Sequence, residues 1–209
     1  MSNEYLDWQM ESEFEEAYQF ANLKHNGQKR KNSDIPYICH PIAVSDILCN
    51  WMVREDNYNE FSNLEIHHLR LVALLHDTVE DTDTTFEEIE EKFGENVKNG
   101  VYWLTDQSKP TDGKRIIRKL IDLHHILQAP IQYIIVKLAD VYNNCMDIVD
   151  TDISFAPKYL KEKQQLISCI KQKIDNDYDK NDKWWRLLKY ANDICNQMLL
   201  EQMMKLNNS

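Results

Sequence analysis

The sequence predicts an all-α protein, on three observations. Glycine and proline are scarce, at 4 and 5 of 209 residues. Apolar residues recur at three- and four-residue steps over long stretches, the helical period. Charged residues make up 28% and hydrophobic ones 43%, a globular rather than a disordered balance. A chain of this length buries a real core as one domain.

The elements follow in order. Phe14, Ala17, Tyr18, Ala21 and His25 mark a first amphipathic helix, with Gly27 as its stop. A polar loop runs from Gln28 to Asp34, and Pro41 fits the first position of a second helix carrying Val44, Ile47, Leu48 and Trp51. A third helix is expected from about Leu64 to Glu80. Its centre, Leu69 to Leu75, is apolar nearly all round, the mark of a buried helix. Thr85 with Glu88 forms a capping-box pattern for a fourth, ending near Gly94, and Val97 to Leu104 continues as helix. Asp106 to Gly113 reads as loop, Lys114 to Gln128 as helix, and Pro130 as a break before a buried helix from Ile131 to Val149. Two more helices, about Pro157 to Ile174 and Trp184 to Leu206, flank the polar run Asp175 to Asp182. No internal repeat or linker interrupts this, so one domain over 1–209 is expected, with a core at about 10–150 and a C-terminal helical extension at about 154–206.

Composition excludes some functions. A net charge of −11 disfavours non-specific nucleic-acid or anionic-membrane binding, though a local basic pocket is compatible with a small anionic substrate. Met1 to Met10 lacks the basic and apolar regions of a signal peptide, and no apolar run is long enough for a bilayer. The five cysteines, Cys39, Cys49, Cys145, Cys169 and Cys195, are scattered and form no CxxC pair, as expected of free thiols in the cytoplasm.

Three segments carry chemistry. Leu75-His76-Asp77-Thr78-Val79-Glu80-Asp81 places four ionisable residues in six positions directly after an apolar run. Buried ionisable groups are costly unless paired, hydrogen-bonded or metal-bound. On a continuous helix His76 shares a face with Glu80, and Asp77 with Asp81. One pair could hold a metal while its neighbour handles protons. Pro36-Tyr37-Ile38-Cys39-His40-Pro41 puts a histidine at a helix start, and Val136-Lys137-Leu138-Ala139-Asp140 puts a carboxylate inside an apolar helix. Taken singly, each has a plain alternative: a capping cluster, a cap or surface histidine, a hydrogen-bonded buried acid. Together they supply two imidazoles and two carboxylates, a mixed set that suits Mn²⁺, Fe²⁺ or Zn²⁺ better than Mg²⁺. Such a metal polarises a phosphoryl oxygen and lowers the pKa of bound water to about 7. Glu80 and Asp81 would then orient that water or move its proton.

In the order His-Pro, His-Asp-x-x-Glu-Asp, Lys-Leu-Ala-Asp, the chain resembles the HD-domain hydrolases. Within them it looks like the (p)ppGpp 3′-pyrophosphohydrolase domain of RelA/SpoT proteins and the stand-alone small alarmone hydrolases. The likeness runs from about Ala17 to Asp147. It includes Arg30-Lys31 before Pro36-Tyr37, Leu74 to Thr84, Phe93-Gly94, Thr105-Asp106 and Val136 to Asn144. The resemblance implies a single HD-domain helical bundle with additional C-terminal helices. It implies one divalent metal, usually Mn²⁺, on His40, His76, Asp77 and Asp140. Glu80 and Asp81 match the pair that activates water. Arg30 and Lys31 match the basic pair on base and phosphates, Asn144 a substrate-contacting Asn, and Tyr159 a tyrosine on the following helix. The implied reaction removes the 3′-pyrophosphate of ppGpp or pppGpp as pyrophosphate, leaving GDP or GTP, in the setting of the stringent response. No synthetase segment is recognised, so alarmone synthesis is not expected.

The chain departs from the family pattern. The loop Asn32-Ser33-Asp34-Ile35 stands where the family has a Gly; Val141 replaces a basic residue after the last Asp; Met146 stands where an Arg often lies. These losses of positive charge keep a sister substrate open, a nucleotide such as NADPH or a deoxynucleotide. The rival from another class is a non-catalytic module that binds nucleotide and signals to a partner. Of two basic clusters, Lys24, His25, Lys29, Arg30 and Lys31 lead into the His40 loop, and Arg30 and Lys31 among them are read as functional. Lys114, Arg115, Arg118 and Lys119 are read as a solvated face. Trp103, Trp184, Trp185 and Tyr190 are expected in core or interface, and the pairs His67-His68 and His124-His125 are given no role. Homo-oligomerisation is left open.

Overall fold

The computed structural model describes residues 3–54 and 60–208, with the side chains of residues 3–5 outside the description. Among the described residues every regular element is helical, apart from one isolated antiparallel bridge between Lys29 and Pro36. This is the all-α architecture expected. The helices are α1 (Asn3–Lys24), α2 (Cys39–Met52), α3 (Asn63–Leu75), α4 (Thr78–Asp81), α5 (Phe86–Leu104), α6 (Arg115–Leu127), α7 (Ile131–Cys145), α8 (Ile148–Thr151), α9 (Ala156–Asp177) and α10 (Lys183–Asn207). They fall into two compact units. The first comprises residues 1–30 and 34–105, the second 31–33 and 106–209.

The first unit is built around α3. Leu69, Leu71, Val72, Ala73, Leu74 and Leu75 are all buried, too many for one face, because α1, α2 and α5 pack around this helix. Full burial of each such aliphatic contributes about 1.5–3 kcal/mol against exposure. Val44, Leu48 and Trp51 of α2 are buried, as their spacing predicts. The start of α3 is fixed by Ser62, whose hydroxyl accepts from Glu65 N while the Glu65 carboxylate accepts from Ser62 N. Thr85 caps α5 by accepting from Glu88 N. Gly94 breaks that helix at φ 83°, ψ 165°, a conformation open essentially to glycine alone, and the helix resumes to Leu104.

The α3 boundary differs from expectation. The helix does not run on to Glu80 but closes at Leu75, and a one-turn α4 starts at Thr78. The Thr78 hydroxyl donates to Leu75 O at 2.7 Å, tying off the end. His76 and Glu80 therefore do not share surroundings: His76 is buried and Glu80 exposed. Asp77 and Asp81 stay one turn apart, with Asp81 N donating to Asp77 O at 2.9 Å.

The second unit is organised on α7, which packs against α10, while α9 packs against both α10 and α6. Tyr133, Ile134, Ile135, Val136, Leu138 and Ala139 are buried on α7; Leu187, Leu188, Ala191, Cys195 and Leu199 are buried on α10. The helix expected to reach Val149 ends at Cys145, and α8 follows after Asp147. Trp103, Trp184, Trp185 and Tyr190 are half-buried rather than core.

Helix α6 corrects the reading of its basic cluster as a solvated face for Arg115, Arg118 and Lys119, which are half-buried, while Lys114 is exposed as expected. Ile116, Ile117, Leu120 and Ile121 are the exposed residues, Ile116 at 67%. The charged side is turned inward. Asp122 is buried and accepts from Ser108 N at 2.9 Å. Lys119 Nζ lies 2.5 Å from Asp106 and 3.3 Å from Asp122, and Arg115 makes a two-pronged pair with Glu162 at 2.7 and 2.8 Å. Arg118 Nε is buried.

Candidate metal centre

Three of the four expected ligands lie in the first unit, and they converge. His40 enters from the first turn of α2, His76 from the end of α3, and Asp77 from the turn before α4. The His76 and Asp77 ligand atoms, Nε2 and Oδ2, are 3.0 Å apart; His40 Nε2 is 3.6 Å from the same oxygen. All three ligand atoms lie within 4.8 Å of one another. Both histidines are buried.

The protonation pattern tests the fit to a cation. His76 Nδ1 lies 2.7 Å from Ala73 O. A carbonyl only accepts, so Nδ1 carries the hydrogen and Nε2 presents a lone pair. That lone pair faces the Asp77 carboxylate oxygen at 3.0 Å. Two acceptors held this close in a buried place need a positive charge between them. Two imidazole nitrogens and one carboxylate oxygen make a donor set for a divalent transition metal.

A surrounding layer orients these ligands. The Tyr37 hydroxyl donates to Asp77 Oδ2 at 2.6 Å, within the range of charge-assisted bonds. The Tyr37 ring lies 4.8 Å from the His25 ring and 5.8 Å from that of His40. Backbone bonds fix this loop: Arg30 N to Ile35 O at 2.9 Å and Tyr37 N to Gln28 O at 3.0 Å. Sequence reasoning used Tyr37 only as part of a motif and gave Gln28 no role. Asp81 is placed beside this layer at the surface. Partial burial and the Asp77 charge push its carboxyl up; Tyr37, His25 and His76 pull against them. The balance leaves the Asp81 carboxyl above its ordinary range. Arg30 is half-buried at the end of this unit.

The other expected site residues belong to the second unit. Asp140 is buried on α7, with Lys137 Nζ at 2.9 Å from Oδ2 and Asn144 Nδ2 donating to Oδ1. Lys31 Nζ pairs with Asp152 at 2.7 Å and sits 4.3 Å from the centre of the Phe155 ring. That pairing, above all, holds the Asp152 carboxyl below its ordinary range. Asn32, beside it, takes φ 57° and donates to Thr151 O at 3.1 Å. An asparagine thus adopts the left-handed conformation in a loop where a glycine was expected. Tyr159 on α9 lies 5.6 Å from Phe155, with Lys163 Nζ 4.9 Å from its own ring centre. Arg115 lies 5.6 Å from the Phe155 ring as well. Phe155, which sequence reasoning passed over, is thus the aromatic that gathers Lys31, Arg115 and Tyr159. Val141 is fully buried, so its position offers no charge to a pocket, and Met146 is exposed.

Comparison with known proteins agrees with this geometry. The HD domain family matches residues 37–145, more than half of the chain, spanning from Tyr37 past Asn144. The chain is 40% identical over 134 residues to a guanosine-3′,5′-bis(diphosphate) 3′-pyrophosphohydrolase of Xenopus tropicalis, covering 64% of this chain and 68% of that protein. It is 38% identical over 134 residues to the protein of the same description from Danio rerio, covering 64% and 67%. A solved structure described as a metazoan ortholog of SpoT that hydrolyzes ppGpp and plays a role in starvation responses aligns with a TM-score of 0.62. That alignment has 26% identity over 86% of this chain and 93% of that one. With the His-Asp turn at the end of α3 matched in sequence and built in three dimensions, the chain belongs to the HD-domain family.

Proposed function

We propose that this protein is a metal-dependent phosphohydrolase that removes the 3′-pyrophosphate of ppGpp or pppGpp, releasing pyrophosphate and GDP or GTP. The observation that carries this is the convergence of the His40, His76 and Asp77 ligand atoms within 4.8 Å of one another. The relatives' printed activity supports the choice of substrate. His40, His76 and Asp77 hold the metal. Asp140 is the fourth ligand on the order of the motifs, and Mn²⁺ is the ion proposed. When bound, the metal supplies Lewis acidity toward a phosphoryl oxygen and acidifies water. Glu80 and Asp81 orient the attacking water and take its proton. Arg30, Lys31, Asn144 and Tyr159 hold the nucleotide, the first two through phosphate and base. Both units serve one functional domain over 1–209, with helices from about 154 to 206 as its extension. No described helix is long and apolar enough to cross a membrane.

A second reading keeps the site and changes the substrate to another nucleotide, such as NADPH or a deoxynucleotide. Buried Val141 and uncharged Met146, at positions where the family carries cations, favour weighing it. The test is incubation of the protein with ppGpp and Mn²⁺ beside Asp77→Ala, following GDP and pyrophosphate. Release that vanishes in the variant supports the alarmone reading. Metal bound without release refutes it and moves the assay to the other nucleotides. Tight ppGpp binding without turnover points to a regulatory module.

A further inference from the structure

Among the described residues of the first unit, His25 is the one buried imidazole that is not a proposed ligand, and it stands beside the metal centre. It sits just past the end of α1, is 3% exposed, and stacks on Tyr37. Its tautomer follows from Gln28. The Gln28 amide donates from Nε2 to Asp81 O at 2.9 Å, which turns Oε1 toward His25 Nδ1 at 2.8 Å. Oε1 only accepts, so Nδ1 bears the hydrogen. His25 Nε2 is then a bare acceptor, buried, with no hydrogen-bond partner among the described residues. A buried acceptor left without a donor forfeits its hydration with nothing in return, so the position calls for a reason.

The surroundings supply one. Gln28 ties His25 directly to the Asp81 backbone, and the Asp81 carboxylate is within electrostatic reach of the ring. The single Tyr37 hydroxyl hydrogen is shared by the Asp77 and Asp81 carboxylates rather than given to His25. Asp81, as a carboxylate, offers no donor either. A water molecule can donate to both at once. We propose that His25 is a positioning residue of the hydrolytic site: Gln28 fixes its tautomer, and Nε2 accepts a hydrogen bond from a water whose other hydrogen goes to the Asp81 carboxylate. The clamp holds the Asp81 backbone from one side and its carboxylate from the other. This rests on the role given to Asp81 under the proposed phosphohydrolase reading.

Two substitutions separate positioning from packing. Asn places its amide near Nδ1 and Gln near Nε2, so His25→Asn loses the Nε2 acceptor and His25→Gln keeps it. With Mn²⁺ and ppGpp, His25→Gln should hold kcat within about threefold, while His25→Asn should lose about 10–100-fold, the range for partners that orient a metal site. KM and Mn²⁺ affinity should stay within about twofold in both. Equal losses in the two variants, or His25→Asn at wild-type kcat, would overturn the proposal. A second measurement needs no turnover. ¹⁵N NMR of the full chain should show His25 with a protonated Nδ1 and an unprotonated Nε2, and Asp81→Ala should move the Nε2 resonance. An Nε2–H tautomer, or a resonance unmoved by Asp81→Ala, overturns the proposal. Wild-type protein that fails to cleave ppGpp refutes the substrate reading instead, and the NMR result then decides on His25.

Discussion

Replacing Tyr37 by Phe removes one hydroxyl and leaves the ring beside His25 and His40, so the effect isolates the hydroxyl, which hydrogen-bonds Asp81 as well as making the short bond to Asp77. At 2.6 Å to a carboxylate oxygen it belongs to the stronger class, worth about 1.5–3 kcal/mol net. Two opposing consequences need weighing. Losing the donor makes the Asp77 carboxylate slightly more basic, which favours a cation. It also frees the carboxylate to rotate away from His40 and His76, which disfavours one. Asp77 keeps 16% of its side-chain surface, so water can partly replace the phenol and the upper end of the range is out of reach. Orientation wins, because partners that fix a ligand are typically worth about tenfold or more in metal affinity. The expected result is Mn²⁺ binding weakened by about tenfold, near 1.4 kcal/mol. Titration calorimetry of Mn²⁺ into chelator-stripped protein measures it, with thermal unfolding of both apo-proteins as the control for folding. An affinity within about twofold of wild type, or tighter, refutes the claim that Tyr37 positions Asp77 for a metal.

Three other perturbations follow from the same structure. Asp77→Ala should abolish stoichiometric Mn²⁺ binding, read by metal analysis after gel filtration, while leaving the helical circular dichroism intact, since Asp77 lies in a turn between α3 and α4. Gly94→Ala should cost about 1–3 kcal/mol in urea unfolding from backbone strain alone, because an added Cβ meets nothing within 4 Å; an unchanged midpoint would contradict the φ of 83°. Arg115 holds the Glu162 carboxyl below its ordinary 4.5, so the pair's contribution is full above that value and is lost as pH falls through the lowered one. The stability gap between wild type and Glu162→Gln, about 1 kcal/mol or less for so open a pair, should therefore be present at neutral pH and close in acid, by urea unfolding across that range.

Much of this was legible in the residues, for identifiable reasons. The all-round apolar run Leu69–Leu75 demanded a central helix, and three helices surround it. The pairing of His40 with His76 and Asp77 was legible because buried ionisable residues after an apolar run need a partner. The helix end was not. A Thr at position 78 is an ordinary helical residue in sequence, and only in three dimensions does its hydroxyl take Leu75 O and stop the helix. Gln28 was invisible for a related reason: its amide bridges two segments far apart in the chain, His25 and Asp81, and no local pattern encodes such a contact.

Helix α6 shows where periodicity stops informing. Its pattern fixes the helix and separates an aliphatic stripe from a charged one, but it cannot say which stripe faces in. The usual answer is that the apolar side is buried. Here Asp106, Asp122 and Glu162 reverse it, because each finds a cation on the inward side of α6. Lys119 feels both burial and two carboxylates, and the carboxylates win, holding its pKa above the ordinary value. The same inward side brings Arg115 to the Phe155 ring, where Lys31 and Tyr159 also lie. A polar side this well paired is worth burying only where charge has work to do. The pairs of Lys119 with Asp106 and Asp122 and of Arg115 with Glu162 hold α6 in this orientation, with Ile116, Ile117, Leu120 and Ile121 left exposed.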